Sequence, residues 1–467
     1  MEGSSDMTFD LKNLGLIKHA NIGINNLTVI CGKNNTGKTY LTHSLYGVLS
    51  YLRESNRYHL KREQRESLKN SGYCEIDLYE YAVPYWTKFN DRENGVLKNS
   101  IPGYLGKKVE TDLPEATISI SEQTVAQIRA KILDFRFDFP VKMHEGYTLD
   151  FKKKRDSSIL SCRYVPVSQI NQNIYEGLNL EIPQSVVSNV SWVVYYLMMQ
   201  KLPRPFIIGS ERTGISVFRD EFSIYRTIAF EDNVLSDRVK ELKEKFVFSS
   251  YPIAIRKDID FSLQLSTVAG RREPEFYANS GIKDAFENIV EGEYDVNKET
   301  GKLYYIPKNG KKPLTLNESS SSVRALCELY FYLRYIARPN DVLMIDEPEM
   351  NLHPEAQRRL ARLLVRLANK KIKVFISTHS EYILREINAL VRMNELKERE
   401  LLLQKYRYVE HELISKDDVN CYVLKDGVTD KMKAEGNYGF SVSSFDDTIS
   451  AINALYDDIA DNEFGGE

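Results

Sequence analysis

The chain has 467 residues, which is enough for two or three structural units around at least one large core. Lys and Arg total 63 against 66 Asp and Glu, and the net charge is −3. No overall basic field therefore points to nucleic acid, although a local basic patch is left open. The five cysteines are scattered without a Cys-x-x-Cys pair, which argues against a zinc knuckle and a disulfide framework.

Targeting and membrane signals are also missing from the sequence. The N-terminal segment MEGSSDMTFDLKN has no positively charged stretch followed by an apolar core. The longest apolar run, residues 190–199, is too short to span a bilayer and predicts a buried helix. We therefore expect a soluble, cytoplasmic protein with reduced thiols and no membrane association.

The first fifty residues predict two strands, a buried strand, a glycine loop and a helix. Short apolar alternation over residues 7–24 indicates the two strands, and LTVIC at 27–31 indicates the buried one. The loop GKNNTGKT follows at 32–39. The next segment has apolar residues at helical spacing, namely Leu41, Leu45, Val48 and Leu49.

The middle of the chain, from residue 53 to about 203, is charged and irregular. Strands are predicted at 116–121, 147–151 and 159–167. The basic cluster DFKKKRD at 150–156 has two interpretations: lysines that protect a strand edge, or a surface that meets a phosphate backbone. No sustained heptad pattern fills this region, so a coiled-coil arm is not expected.

Later elements alternate between strands and helices. The predicted elements are a strand at 206–214, a charged helix at 236–246, a hairpin at 292–306, a helix entered from NESSSSVRAL, a strand at 341–346 with a following helix, a strand at 370–380, a strand at 418–427 and a terminal helix at 443–460.

The loop GKNNTGKT fits the pattern G-x-x-x-x-G-K-[ST] and lies between a strand and a helix, as a phosphate loop requires. Its glycines allow backbone N–H groups to face the phosphates, Lys38 reaches the β and γ oxygens, and the Thr39 hydroxyl ligates Mg²⁺. The predicted ATP-binding residues of this segment are Gly32, Asn34, Asn35, Thr36, Gly37, Lys38, Thr39 and Tyr40.

A pair of acids ends the apolar run VLMIDEPE at 342–349. Carboxylates at the C-terminal edge of a buried strand lie where open α/β sheets bind ligands. Asp346 is predicted to hold the Mg²⁺ shell, and Glu347 to orient or deprotonate the attacking water. The alternative is that both acids only favour the start of the next helix.

Two further motifs follow the same order along the chain. VFISTHS at 374–380 presents His379 at a strand end, where it could report the γ-phosphate or serve a structural role. NESSSSVRAL at 317–326 places hydroxyls at a helix start, which suits either an anion site or ordinary capping.

The order of phosphate loop, serine-rich helix start, acid pair and histidine strand resembles the ABC-type ATPases, and within them the RecF, SMC and OLD-like group. The segments IDEPEMNLHPEAQ and STHS are close to the motifs that are characteristic of that group. The resemblance implies an α/β P-loop NTPase fold with an ABC-ATPase head: a mixed sheet flanked by helices, an antiparallel β subdomain and a helical lobe. It also implies hydrolysis of ATP with Mg²⁺ as cofactor.

In that group the serine-rich helix start contacts the γ-phosphate held by a second subunit, so a homodimer or higher homo-oligomer is implied. The serines at these positions are Ser319, Ser320, Ser321 and Ser322, although the glycines of the usual signature are missing. The D-loop position falls on residues 351–353. A Q-loop role falls on Glu211 or Arg212, with a surface ion pair as the alternative.

More narrowly, the chain resembles ATPase subunits of two-component bacterial anti-phage systems such as Septu and PARIS, whose ATPases restrain a separate effector. Fewer than eighty residues follow Leu390, which is too few for the nuclease domain of an OLD-type enzyme. A nuclease or toxin is therefore expected in a partner protein. The alternative function is a RecF-like DNA-binding ATPase of repair or recombination, and a transporter subunit fits least well.

The predicted domain division has three parts. Residues 1–50 and 200–390 form the split ATPase head, residues 51–199 form an insertion, and residues 391–467 form an extension that docks a partner.

Overall fold

A computed structural model of the chain describes the following residues: 7–54, 59–80, 103–106, 115–143, 146–166, 184–199, 202–219, 221–222, 251–278, 281–297, 300–310, 312–433, 440 and 454–455. The helix predicted at 236–246 and most of the terminal helix predicted at 443–460 lie outside these residues.

The strands of the described residues are numbered in chain order. They are β1 (Met7–Leu14), β2 (Ile17–Ile24), β3 (Leu27–Cys31), β4 (Tyr73–Asp77), β5 (Thr117–Ile120), β6 (Phe137–Met143), β7 (Tyr147–Lys153), β8 (Ile159–Pro166), β9 (Arg204–Ile208), β10 (Gly292–Val296), β11 (Leu303–Pro307), β12 (Leu314–Thr315), β13 (Asp341–Asp346), β14 (Lys373–Thr378), β15 (Val419–Lys425) and β16 (Val428–Lys431).

The α-helices are numbered in the same way. They are α1 (Lys38–Glu54), α2 (Arg62–Ser71), α3 (Glu122–Asp134), α4 (Gln184–Met199), α5 (Arg212–Val217), α6 (Ile253–Ala269), α7 (Glu275–Ala278), α8 (Ile282–Val290), α9 (Ser321–Phe331), α10 (Pro354–Asn369), α11 (Glu381–Glu395) and α12 (Glu400–Tyr406). A π-helical turn, Tyr332–Ile336, extends α9.

The main sheet has nine described strands in the order β5-β1-β2-β16-β15-β3-β14-β13-β9. Strands β15, β3, β14, β13 and β9 run parallel to one another, whereas β5, β1 and β2 are antiparallel neighbours. Smaller antiparallel sheets are formed by β10-β11-β12 and by β4-β8-β7-β6. This mixed α/β architecture, with antiparallel parts and flanking helices, confirms the predicted fold class of a P-loop ATPase.

Strand β13 shows why the central strands are buried. All six of its residues are buried, and successive side chains enter two different cores: Val342 and Met344 pack in one, Leu343 and Ile345 in the other. A parallel strand covered by helices on both faces requires such an uninterrupted apolar run, because alternate side chains point to opposite faces.

The C-terminal part of the chain contributes to this sheet. Strand β15 pairs in parallel with β3, the strand that leads into the phosphate loop, and β16 joins β15 to β2. Residues 419–431, which were assigned to the C-terminal extension, therefore share one sheet with the predicted head.

One predicted strand is shorter than expected. The run at 206–214 was predicted as a strand throughout, but β9 ends at Ile208 and α5 begins at Arg212. The hairpin around Gly301, whose φ is 68°, is confirmed.

Candidate functional site

Three parallel strands of the main sheet end at the same edge. The pairings Asp346 with Ser377 and Thr378 with Cys31 align the carboxyl ends of β13, β14 and β3. The residues that follow these ends are Glu347, His379 and Gly32. The motifs predicted from separate parts of the sequence are thus brought together by strand register.

The phosphate loop depends on backbone conformations that glycine permits. Gly32 has φ 153°, and a Cβ there would lie 2.5 Å from the Leu424 carbonyl oxygen of β15. Gly37 has φ 101°, and Asn35 adopts φ 64°, a left-handed conformation that asparagine tolerates. The Thr36 hydroxyl donates to the Lys33 carbonyl at 2.9 Å and closes the turn.

Lys38 is the first residue of α1 and is buried. Its Nζ donates to the carbonyls of Gly32 at 3.1 Å and Lys33 at 2.8 Å, and lies 3.4 Å from His379 Nδ1. Burial lowers the pKa of Lys38, while the carboxylates of Glu347 and Asp346 oppose that shift. The ammonium group therefore has few solvent contacts and is placed to receive anionic oxygens.

Asp346 ends β13 and is fully buried. Its Oδ1 accepts a hydrogen bond from the Ser377 hydroxyl, whereas its Oδ2 has no partner among the described residues. A buried carboxylate oxygen without a partner is costly and fits a site for a cation. Together with the half-buried Thr39 hydroxyl, Asp346 offers the oxygen donors that Mg²⁺ prefers.

Glu347 adopts φ 47°, which turns the chain sharply after the strand. Its Oε1 lies 3.5 Å from His379 Nε2. The His379 hydrogen bond lowers the pKa of Glu347, and the Lys38 charge acts in the same direction. The side chains of Lys38, Glu347 and His379 therefore meet at one place, with the carboxylate held in its ionised form.

Glu349 supports His379 in a way that the sequence analysis did not foresee. Its Oε1 accepts from the His379 backbone N–H at 2.6 Å, and its Oε2 accepts from the Thr378 hydroxyl at 2.9 Å. Burial raises the pKa of Glu349. The third acid of the sequence DEPE, Glu349, thus fixes the end of β14.

The serine cluster divides into inward and outward members. The Ser319 hydroxyl is buried and donates to the Thr315 carbonyl at 2.7 Å. Ser320 caps α9 by accepting from the Val323 N–H, and its hydroxyl also lies 2.8 Å from that of Ser322. Ordinary N-capping, the alternative interpretation, therefore accounts for Ser320, while Ser321 and Ser322 occupy the partly exposed first turn.

The alternative interpretation of Arg212 as half of a surface ion pair is wrong. Arg212 is only 2% exposed and donates to main-chain carbonyls rather than to a surface acid.

In the segment predicted as the D-loop, Asn351 donates to the Thr213 hydroxyl at 3.1 Å, and His353 caps α10. Both ends of this segment are therefore tied to neighbouring elements.

His43 is another buried group beside the acids. It lies one helical turn after Thr39, and its Nε2 has no partner among the described residues. Burial lowers the pKa of His43, and the nearby carboxylates of Asp346 and Glu211 oppose that shift. His43 follows Thr39 by four residues, a spacing that places both side chains on one face of α1. This spacing could have indicated the position of His43 from the sequence. Tyr40, predicted to bind nucleotide, has its ring against Gly15 of the β1–β2 turn.

The basic cluster at 150–156 is largely engaged within its own subdomain. Lys153 is buried and donates to the carbonyls of Leu133 and Phe135 at the end of α3. Lys152 lies within 3.8 Å of Asp138 and Asp150 carboxylates. Strand β7 is an internal strand of its sheet, so the edge-protection interpretation is wrong.

Among the described helices, none has both the length and the apolar character needed to cross a bilayer. The described residues also contain no cluster of three or more His, Cys, Asp or Glu side chains arranged to hold a metal. Asp346 and Thr39 are the residues that could hold a magnesium ion here, with phosphate oxygens or water as its other ligands.

Comparison with known proteins supports an ATPase domain. The protein-family model for the AAA ATPase domain matches residues 231–384, which include α9, the acid pair and His379 but not the phosphate loop. No curated protein matches the chain.

Solved structures that resemble the chain include heads of SMC proteins. An SMC head bound to the C-terminal winged-helix domain of ScpA has 11% identity and a TM-score of 0.34, covering 91% of this chain and 96% of that one. An SMC head from Pyrococcus furiosus has 11% identity and a TM-score of 0.33, covering 96% and 99%. The head from Thermotoga maritima has 12% identity and a TM-score of 0.30, covering 92% and 99%.

Proposed function

We propose that this chain binds ATP with Mg²⁺ and hydrolyses it to ADP and phosphate. The convergence of Lys38, Glu347 and His379 carries this proposal, because Glu347 Oε1 and Lys38 Nζ lie within 3.5 Å of the two ring nitrogens of one histidine. A binding lysine, an ionised carboxylate and a hydrogen-bonding imidazole at one strand edge are the groups that phosphoryl transfer to water needs.

Each side chain has a defined part in this scheme. Lys38 and the N–H groups at the start of α1 bind the phosphates, and Glu347 accepts a proton from the attacking water. His379 holds the Glu347 carboxylate and contacts the γ-phosphate. Thr39 and Asp346 would hold a magnesium ion, which would supply charge neutralisation at the phosphates.

The ATP-bound chain forms a homodimer or higher homo-oligomer in which the helix start at Ser319 to Ser322 completes the site of a second copy. The partly exposed first turn of α9 supports this arrangement, because its hydroxyls and N–H groups suit an anion. The dimer gates a separate effector, a nuclease or toxin, in bacterial anti-phage defence. The resemblance to the RecF, SMC and OLD-like group supports that assignment.

The alternative, a RecF-like DNA-binding ATPase, has less support. Its best candidate residues are Lys152, Lys153, Lys154 and Arg155. Of these, Lys153 is buried and Arg155 lies 3.6 Å from Asp134. Salt-sensitive, ATP-dependent DNA binding that weakens when these residues are neutralised would restore it.

Three experiments test the proposal. Phosphate release by the purified chain should require Mg²⁺ and should be lost in Lys38→Ala, which weakens ATP binding itself. Light scattering should show a larger species with ATP than without it. Absence of ATP-dependent phosphate release from the folded wild-type chain would contradict the enzymatic part. The effector part requires that the chain co-purifies with the product of a neighbouring gene and suppresses its toxicity.

A further inference from the structure

Arg212 is a buried arginine that joins three elements behind the candidate site. It begins α5, directly after the turn that follows β9, and is 2% exposed. Its Nη1 donates to the carbonyls of Gly209 and Asp346, both at 2.9 Å. Its Nη2 donates to the Glu347 carbonyl at 2.7 Å, and its Nε donates to the Ala325 carbonyl at 3.0 Å.

These contacts fix the main chain of the hydrolysis acid. The Asp346 and Glu347 carbonyls both accept from one guanidinium, and the Glu347 N–H donates to the Ser377 carbonyl at 3.0 Å. Glu347 adopts φ 47°, a conformation that neighbouring bonds must hold for a residue with a side chain. Loss of the guanidinium would leave two carbonyls at this turn without their donor.

The fourth contact reaches the helix that carries the serines. Ala325 lies on α9, three residues beyond Ser322. An α-helix rises about 1.5 Å per residue, so Ala325 and Ser322 are about 4.5 Å apart along one rigid rod. A shift of the first turn of α9 therefore moves the carbonyl that Arg212 binds.

No carboxylate of the described residues forms a close ion pair with Arg212. The buried acids beside it are Asp258 of α6 and Glu328 of α9; Asp258 Oδ2 accepts from the Gly209 N–H at 2.7 Å. Burial raises the pKa of both acids well above the ordinary value, and their mutual proximity contributes to this shift for Glu328. A buried guanidinium whose directed bonds go to carbonyls is expensive for a purely structural purpose.

We infer that Arg212 is a positioning residue that couples the first turn of α9, where a second copy presents its γ-phosphate, to the orientation of Glu347 in the same chain. The two sites of a dimer are thereby linked, because closure on one nucleotide adjusts the acid that acts on the other. This inference rests on the proposed function.

The test compares Arg212→Lys with Arg219→Lys. Arg219 is a matched control, because it also donates to main-chain carbonyls, of Ser262 and Gly301, but none of these belongs to the candidate site. Arg212→Lys keeps the positive charge and loses the fork that reaches four carbonyls. We expect kcat to fall by 10-fold or more while KM for ATP stays within about 3-fold, and Arg219→Lys to hydrolyse ATP at the wild-type rate.

Chemical rescue separates positioning from folding. Arg212→Ala leaves a cavity, and guanidinium chloride at concentrations far below those that unfold the protein should restore part of its kcat and none of the kcat of Lys38→Ala. Thermal unfolding of each variant gives the folded fraction. The inference is overturned if kcat of Arg212→Lys equals that of wild type. It is also overturned if the residual activity of each variant equals the fraction of it that is folded and guanidinium does not rescue Arg212→Ala.

The outcomes also distinguish this inference from the proposed function. If wild type and Arg219→Lys hydrolyse ATP and Arg212→Lys does so equally well, only the coupling role fails. If folded wild type does not hydrolyse ATP, the proposed function fails and the coupling role fails with it.

Discussion

At the scale of single residues, the proposed hydrolysis would depend on a carboxylate at Glu347 that remains ionised and directed at the water. We predict that Glu347→Gln preserves ATP binding and lowers kcat by about 10²- to 10⁴-fold, because the amide keeps a hydrogen-bonding side chain but cannot accept the proton. Phosphate release and nucleotide affinity measured side by side check this. Glu355→Gln, which removes an exposed partner of Arg358 and Arg359 away from the site, is the control. Equal turnover in both variants would refute the role.

The pH profile tests the contact between His379 and Glu347. The hydrogen bond from His379 is the main cause that lowers the pKa of Glu347, whereas partial burial acts to raise it. A base must be deprotonated, so activity is lost as pH falls through its pKa. Removal of the histidine in His379→Ala should therefore move the acidic limb of the kcat profile to higher pH. An acidic limb at the same pH in both proteins would show that this hydrogen bond does not set the charge state.

At the scale of elements, the phosphate loop depends on β15 as much as on its own sequence. A Cβ at Gly32 would lie 2.5 Å from the Leu424 carbonyl, so the β15 backbone and the loop cannot both keep their places. We expect Gly32→Ala to weaken ATP binding and to lower the free energy of unfolding by about 1–3 kcal/mol. Gly103→Ala is the control, since among the described residues no heavy atom other than those of its chain neighbours lies within 4 Å of its Cβ position. Denaturant unfolding and nucleotide titration measure both effects, and matching results for the two variants would contradict the expectation.

The same elements show what could be predicted from the sequence. The phosphate loop at 32–39 and the acid pair at 346–347 are patterns of consecutive residues with a recognisable chemistry. The strands and helices that flank them were therefore predictable. The place of β15 beside β3 was not, because a pairing between residues nearly 400 positions apart leaves no local periodicity. Arg212 was undervalued for a similar reason: its partners are carbonyls, which every residue carries, and only the fold brings them together.

At the scale of the whole molecule, the proposed dimer is composite: each site takes its phosphate loop from one copy and its serines from the other. A closed two-fold dimer contains two such sites, related by symmetry. Lys38→Ala damages the phosphate loop of its own copy, whereas Ser322→Arg places a bulky charge on the partly exposed turn offered to the partner. Each variant alone should therefore be inactive in both of its sites.

Mixing the two inactive variants should restore hydrolysis. In a mixed dimer, the Ser322→Arg copy contributes an intact loop and the Lys38→Ala copy contributes intact serines, so one of the two sites is whole. Random pairing makes half of the dimers mixed, and each mixed dimer has one whole site out of two. The expected activity is therefore about a quarter of wild type. A mixture of Lys38→Ala with Glu347→Gln is the control, because both lesions fall on the loop-and-acid side and leave no whole site. Phosphate release that stays at background in the first mixture, while light scattering shows that mixed dimers form, would mean that the serines do not act across the dimer.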